Sequence, residues 1–356
     1  MALSRGSKIF AVVLVAMVAA AIWGLSSGLE RIAGGVLPDP VEPGLPVDFE
    51  IAPGQSATIV ASNLDDQGVV GANDFIDEVN RRDIAETIAP GNYELETGMD
   101  VVSVVDVIEA GPSLLRITVA EGLRIDQTLT RLAEQTSFEA IEFADVLDAQ
   151  RNDPEGGPLV MPEWVPPLDE LPDSNQAFEG LLFPLTYDFE LDAEPTEILQ
   201  RLIDQTGQTM DAVPPEQVTA AAEDDVDRYD ALIIASMIER EAQVSEDRPL
   251  IASVIRNRLD IPMRLQIDAT NEYARAMEGE AEGSAWNTYE IDALPPTPIA
   301  GARAQAIQVA FNPAETDFTF YVLDDACDGT HVFAESAEEH EENVAAYREA
   351  GECADA

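Results

Sequence analysis

Lysine occurs once in this chain of 356 residues, at Lys8, and Lys plus Arg total 19 against 69 Asp plus Glu. A formal net charge of -50 repels phosphate backbones, which excludes nucleic acid as a partner and disfavours adhesion to anionic lipid. Histidine is confined to His331 and His340. That leaves no frame for a Ser–His–Asp triad, and there is neither a G-x-S-x-G elbow nor a Gly-rich phosphate loop. A metal site built from the two histidines and nearby carboxylates is outweighed by a plainer reading, one His at a strand turn and one on a helix surface. The two cysteines, Cys327 and Cys353, are too few for a structural zinc site.

The scarcity of positive charge does not mean disorder. Hydrophobic residues make up 46% and charged residues 25%, the usual globular balance, and the length allows two or three domains. Near the start, Arg5 and Lys8 precede an uncharged apolar run from Ile9 to Leu25. At 1.5 Å per residue the run spans roughly 26 Å, enough for a short membrane helix. The basic residues before it and the acidic chain after it predict a single-pass anchor in the inner (plasma) membrane, with the N-terminus cytoplasmic and the rest exported. A cleaved signal peptide is the alternative, and the length of the run favours the anchor. In an oxidising compartment Cys327 and Cys353 are most simply a disulfide, worth about 3–4 kcal/mol in the chain-entropy account.

The pattern predicts an α+β protein. Residues 1–35 form the cytoplasmic tip and membrane helix (about 9–25), and residues 36–46 a linker with Pro38, Pro40, Pro43 and Pro46. Residues 47–153 form a small α+β region, residues 154–176 a Pro-rich connection, and residues 177–356 a mostly helical domain. A weak repeat marks the α+β region: Phe49 to Gly54 and Ile117 to Gly122 each read as strand, Gly turn and helix. Beyond Tyr229, helices are expected over Ala231–Gln243, from Pro249, and over Gly301–Phe311. A hairpin is expected from Phe318–Leu323 and Thr330–Phe333, with a closing helix over Ser336–Ala350.

One carboxyl among the many stands apart. Glu239 follows the apolar run Leu232 to Ile238, where desolvation raises proton affinity and suits a general acid. Glu241 lies about 200° further round the helix. Apolar residues flank both faces, so periodicity does not choose between the two.

The same segment resembles the YceG-like (MltG) family of membrane-bound endolytic murein transglycosylases. The matching pieces occur in the family's order: Phe178 to Tyr187, Ala235-Ser236-Met237-Ile238-Glu239-Arg240-Glu241, Val254 to Leu259, Met263 to Thr270, Trp286 to Tyr289, Leu294 to Ile299, Gly329 to Phe333, and Glu339-His340. Ala269, Trp286, Thr297 and Glu341 depart from the family pattern, and none of these changes removes a group the chemistry needs. The resemblance implies a LysM-like module in the α+β region and a lysozyme-like catalytic domain after it. It implies non-hydrolytic cleavage of the MurNAc–GlcNAc β-1,4 bond in glycan strands, leaving 1,6-anhydroMurNAc ends. Carried over by position, the catalytic residue is Glu239. Gln266, Asp268, Asn287 and Tyr289 are the expected substrate contacts, with loop capping or core filling as the alternative for each. No metal and no cofactor is called for. The implied partners are peptidoglycan strands, with peptidoglycan synthases at the membrane. The competing readings are a lysozyme-like hydrolase and a non-catalytic cell-wall scaffold.

Overall fold

The structure is a computed structural model, and it describes residues 42–350 apart from 262 and 327. The expected membrane helix at 9–25, most of the Pro-rich linker and the Cys327–Cys353 bond lie outside the described residues. Among the described residues no helix is long and apolar enough to cross a membrane. The fold is a mixed, helix-rich α+β arrangement with twelve α-helices and three two-stranded sheets among those residues. The described residues divide into two compact units, 42–115 with 190–192, and the rest.

In the first unit, β1 (Pro46–Ile51) pairs antiparallel with β2 (Gly91–Glu96), placing Phe49 opposite Tyr93. Helices α1 (Ala57–Asp66) and α2 (Ala72–Arg82) lie between the strands in sequence, and α3 (Val101–Ala110) follows. Strand period two turns Phe49, Ile51, Tyr93 and Leu95 to one face. There they meet Val60 and Leu64 of α1, Phe75 and Val79 of α2, and Val104, Val105 and Ile108 of α3. Asp100 caps α3 by accepting from the Ser103 N–H at 3.1 Å.

Strand β3 (Leu114–Thr118) pairs with β4 (Thr186–Glu190). The strands of the sequence repeat, β1 and β3, therefore belong to different sheets. Helices α4 (Ile125–Gln135), α5 (Ala140–Asn152), α6 (Pro195–Asp211) and α7 (Pro215–Glu223) precede the central one, α8 (Arg228–Glu241). Helix α8 starts at a capping box in which Asp227 and Asp230 satisfy each other's main-chain N–H. Residues Ala231 to Ile238 are buried without interruption, which is why the sequence is apolar nearly all round there. Helices α9 (Arg248–Asp260), α10 (Asp268–Glu278) and α11 (Ala304–Phe311) pack against α8. Each buried Leu, Ile or Met contributes about 1.5–3 kcal/mol of burial.

The hairpin pairs β5 (Phe320–Leu323) with β6 (His331–Ala334), Tyr321 opposite Phe333, and α12 (Ala337–Glu349) closes the chain. Helix α10 had no counterpart in the sequence pattern, because only Ala269, Thr270, Tyr273 and Ala274 are buried on it. That stripe is too small-sided to show a helical period.

Candidate active site

Helix α8 delivers two glutamates at its C-terminal end, and their surroundings differ. The Glu239 side chain is only 3% exposed and is bound by Arg303. Arg303 Nε donates to both carboxylate oxygens at 2.9 and 2.8 Å, Nη2 donates to Oε1 at 2.7 Å, and the Arg303 main-chain N–H donates to Oε2 at 3.2 Å. Arg303 is the residue before α11, so this bidentate pair ties α11 to the end of α8.

Glu241 faces the other way. Oε1 accepts from the Ala269 main-chain N–H at 3.3 Å, and Oε2 accepts from the Tyr321 hydroxyl at 3.2 Å. Ala269 lies in the first turn of α10, whose unpaired N–H groups point out of the helix. Burial raises the proton affinity of Glu241 above the usual carboxyl range. The two hydrogen bonds oppose the rise, and the nearby charges of Asp268 and Glu272 add to it.

The remaining expected residues sort themselves by what they touch. Asp268, exposed at the start of α10, accepts from the Tyr289 hydroxyl at 2.6 Å, and both groups lie close enough for the Glu241 charge to be felt. Burial, followed by the Asp268 hydrogen bond, raises the Tyr289 phenol above its ordinary range. Tyr289 remains an exposed aromatic face. Gln266 is exposed with a left-handed backbone, φ 50°, and its N–H donates to the Thr288 carbonyl at 3.1 Å. Asn287 is buried and braces its loop, donating to the Ala281 carbonyl and accepting from the Tyr289 N–H, each at 3.0 Å. The structure thus brings Glu241, Asp268, Tyr289 and Tyr321 together, and leaves Asn287 facing its own loop.

Three residues were not named as site residues in the sequence, although Glu179 and Tyr321 lie within segments that resemble the family. Arg303 stands 64 residues from Glu239, and only a lone basic residue before a helix signals it. Tyr321 sits in a strand whose pairing was expected but whose faces were not assigned. Glu179 is fully buried, with Oε2 accepting from the Ile125 N–H at 3.1 Å and the Tyr273 hydroxyl at 3.0 Å. Desolvation pushes Glu179 up to about 8. Gly180 beside it must be glycine: its φ is 75°, and a Cβ there would fall 2.7 Å from Pro298 Cβ.

Arg258, buried on α9, donates to the main-chain carbonyls of Thr319, Arg264 and Leu265 and lies over the Phe320 ring. It thereby fixes the hairpin beside α10. A cavity of about 520 Å³ at the other end of α10, lined by Trp286, Gln176, Asp173 and Glu278, contains none of the acid groups of the α8 end. Among the described residues no group of three or more His, Cys, Asp or Glu side chains is arranged to hold a metal ion.

Fold and site together define a class: helix-rich α+β proteins with a desolvated carboxyl at the end of a central apolar helix, the layout of an acid–base site. Within it the chain belongs to the YceG-like family, whose profile matches residues 49–346. It is 29% identical over 315 residues to an endolytic murein transglycosylase of Bacillus subtilis, covering 83% of this chain and 82% of the relative. An endolytic murein transglycosylase of Streptococcus pneumoniae is 29% identical over 279 residues, covering 72% of this chain. This chain spans about half the length of that pneumococcal relative, 50%. A crystal structure of a YceG-like protein from Listeria monocytogenes aligns with a TM-score of 0.50 at 26% identity, covering 83% of this chain and 98% of the other.

Proposed function

We propose that this protein is an endolytic peptidoglycan lytic transglycosylase. It cleaves the MurNAc–GlcNAc β-1,4 bond within a strand and leaves a 1,6-anhydroMurNAc end. Family membership and the two relatives named endolytic murein transglycosylase support the reaction class. One observation carries the assignment of the acid: Glu241 is a desolvated carboxyl, held by an amide N–H and a phenol, with raised proton affinity. Glu239, favoured by the sequence resemblance, has both oxygens occupied by Arg303 and would have to leave that partner before giving a proton to a sugar. We therefore place the reacting proton on Glu241 and a bracing role on Glu239.

The reaction balances on one carboxyl. Glu241 gives its proton to the glycosidic oxygen as the C1–O bond breaks and the aglycone leaves. The muramyl C6 hydroxyl then attacks C1, and its proton passes to the Glu241 carboxylate, restoring the acid. A hydrolase generally needs a second carboxylate to serve as nucleophile or to activate water. An intramolecular hydroxyl already in place replaces that water. Asp268, Tyr289 and Gln266 are exposed at the mouth of this cluster and suit hydroxyl and N-acetyl groups.

Residues 47–153 serve as a LysM-like region and residues 177–356 as a lysozyme-like catalytic domain. The chain is held at the inner membrane by residues 9–25, acts outside the cytoplasm, and works beside peptidoglycan synthases.

Digestion of purified glycan strands with mass analysis of the products tests the proposal. Anhydro ends are expected from the parent protein, from Glu239→Gln at reduced rate, and from Glu241→Gln only at a rate lower by about 10²- to 10⁴-fold. Ordinary reducing ends would make it a hydrolase with Asp268 as second carboxyl. Strand binding without turnover by the parent would make it a scaffold.

A further inference from the structure

We propose that Asp247 and His331 form a buried positioning pair for the general acid, acting through the Tyr321 ring to hold the hydroxyl that binds Glu241. The inference rests on the assignment of the reacting proton to Glu241. Asp247 is the residue that precedes α9, where an Asp ordinarily accepts from the first N–H groups of its own helix. Its side chain makes no such bond. Instead Oδ2 accepts from the His331 main-chain N–H at 2.8 Å and meets His331 Nδ1 at 2.8 Å. Both side chains are sealed, His331 at 6% exposure and Asp247 at 7%.

The hairpin register carries the pair to the site. Leu323 lies opposite His331 and Tyr321 opposite Phe333, so His331, Tyr321 and Phe333 share one face of the ladder. The His331 ring stands edge-on to the Tyr321 ring, centroids 5.4 Å apart at 86°, and the Phe333 ring packs beside both, tilted, at 6.1 Å from Tyr321. Tyr321 is thereby braced by two rings that also touch each other at 6.4 Å, one of them pinned by a carboxylate. Its hydroxyl reaches Glu241 Oε2 at 3.2 Å. A phenol free to swing would still fill the core, but it would no longer fix the carboxyl that the sugar oxygen must meet. Displacements near 1 Å at a reacting group cost on the order of a hundredfold in rate.

The groups facing Glu241 and Tyr321 are Asp268 and Glu272 on α10, Tyr289 in the following loop, Arg258 on α9, and the Ala269 N–H. A donor to the Glu241 carboxylate favours its ionised form. Losing the Tyr321 hydroxyl therefore keeps Glu241 protonated to higher pH. The alkaline limb of kcat, where the acid loses its proton, moves upward.

The test uses the full chain on purified glycan strands, scoring anhydro product across a pH series, with melting temperatures alongside. His331→Phe is expected to lower kcat about 10- to 100-fold with KM held within about twofold, and to shift the alkaline limb upward. Tyr321→Phe shifts the limb further. In the Tyr321→Phe background, His331→Phe is expected to add less than about threefold, because both act through one hydroxyl. Should His331→Phe fail to fold, Asp247→Asn keeps both side-chain shapes and removes the carboxylate charge that His331 Nδ1 and the His331 N–H both meet. It is expected to reproduce the limb shift in smaller measure. Multiplying effects of His331→Phe and Tyr321→Phe, or a loss of kcat without any limb shift, would overturn the positioning role. Full anhydro product from Glu241→Gln would instead overturn the assignment beneath it.

Discussion

The two faces at the end of α8 hold chemically identical side chains in opposite company. Glu239 meets a guanidinium that takes both its oxygens, while Glu241 meets a phenol and one amide N–H with two further carboxylates nearby. Both faces are desolvated, so burial does not separate them. The sign of the neighbouring charge does. A cation fixes a carboxylate as a strut, whereas acidic neighbours and neutral donors leave a carboxyl able to give and take a proton.

Turnover separates the two faces most. Glu241→Gln is expected to cost about 10²- to 10⁴-fold in anhydro product, the usual share of a general acid, and Glu239→Gln less than about tenfold. Product mass analysis on the two variants decides it, and the reverse order would exchange the roles of the two faces.

Glu179 sharpens the contrast, since it is as buried as either and has no opening to a substrate. Its proton affinity sits at about 8 in the folded chain against 4.5 for the free side chain, so the native state binds the extra proton. The stabilising contribution is complete below about pH 4.5 and is lost as pH rises toward 8. The slope approaches about 1.4 kcal/mol per pH unit. Glu179→Gln, which keeps an acceptor for Ile125 N–H and Tyr273, should flatten that slope. Denaturant unfolding at pH 5 and pH 8 measures it, and an unchanged slope would remove Glu179 as its source.

A smaller effect concerns the strut. Arg303→Ala leaves Glu239 without its cation, and since Arg303 is 38% exposed, solvent screening limits the loss to about 1–2 kcal/mol. The midpoint of urea unfolding should fall with the m-value unchanged. Least of all, Tyr289→Phe removes one hydrogen bond to Asp268. It should raise KM for glycan strands about two- to fivefold with kcat nearly constant.

Much of this architecture could be read from the chain itself. The apolar run of α8, the Pro-started α9 and the short strand-forming runs of β5 and β6 were legible because each is a contiguous local stretch with its own residue signature. Helix α10 was not, since Ala269 and Ala274 bury too little to stand out. The site was half legible. Glu239 and Glu241 both appear at the end of a buried run, but what separates them arrives from far along the chain: Arg303 from before α11, Ala269 from α10, Tyr321 from the hairpin. No local pattern encodes which face each of these meets. Asn287 shows the converse, a polar residue inside a recognisable motif whose hydrogen bonds all close upon its own loop.

Arg258 has a consequence for the medium in which such a chain can work. Its acceptors are the carbonyls of Thr319, Arg264 and Leu265, which carry no net charge. Dissolved ions screen pairs of opposite charge, such as the exposed Arg116–Asp188 bridge, over a Debye length of about 8 Å at physiological ionic strength. A buried guanidinium bound to amide oxygens offers them little to screen. As ionic strength rises, the surface bridges of this acidic protein weaken first, while the seating of the hairpin against α10, and with it the frame around Glu241, keeps its geometry.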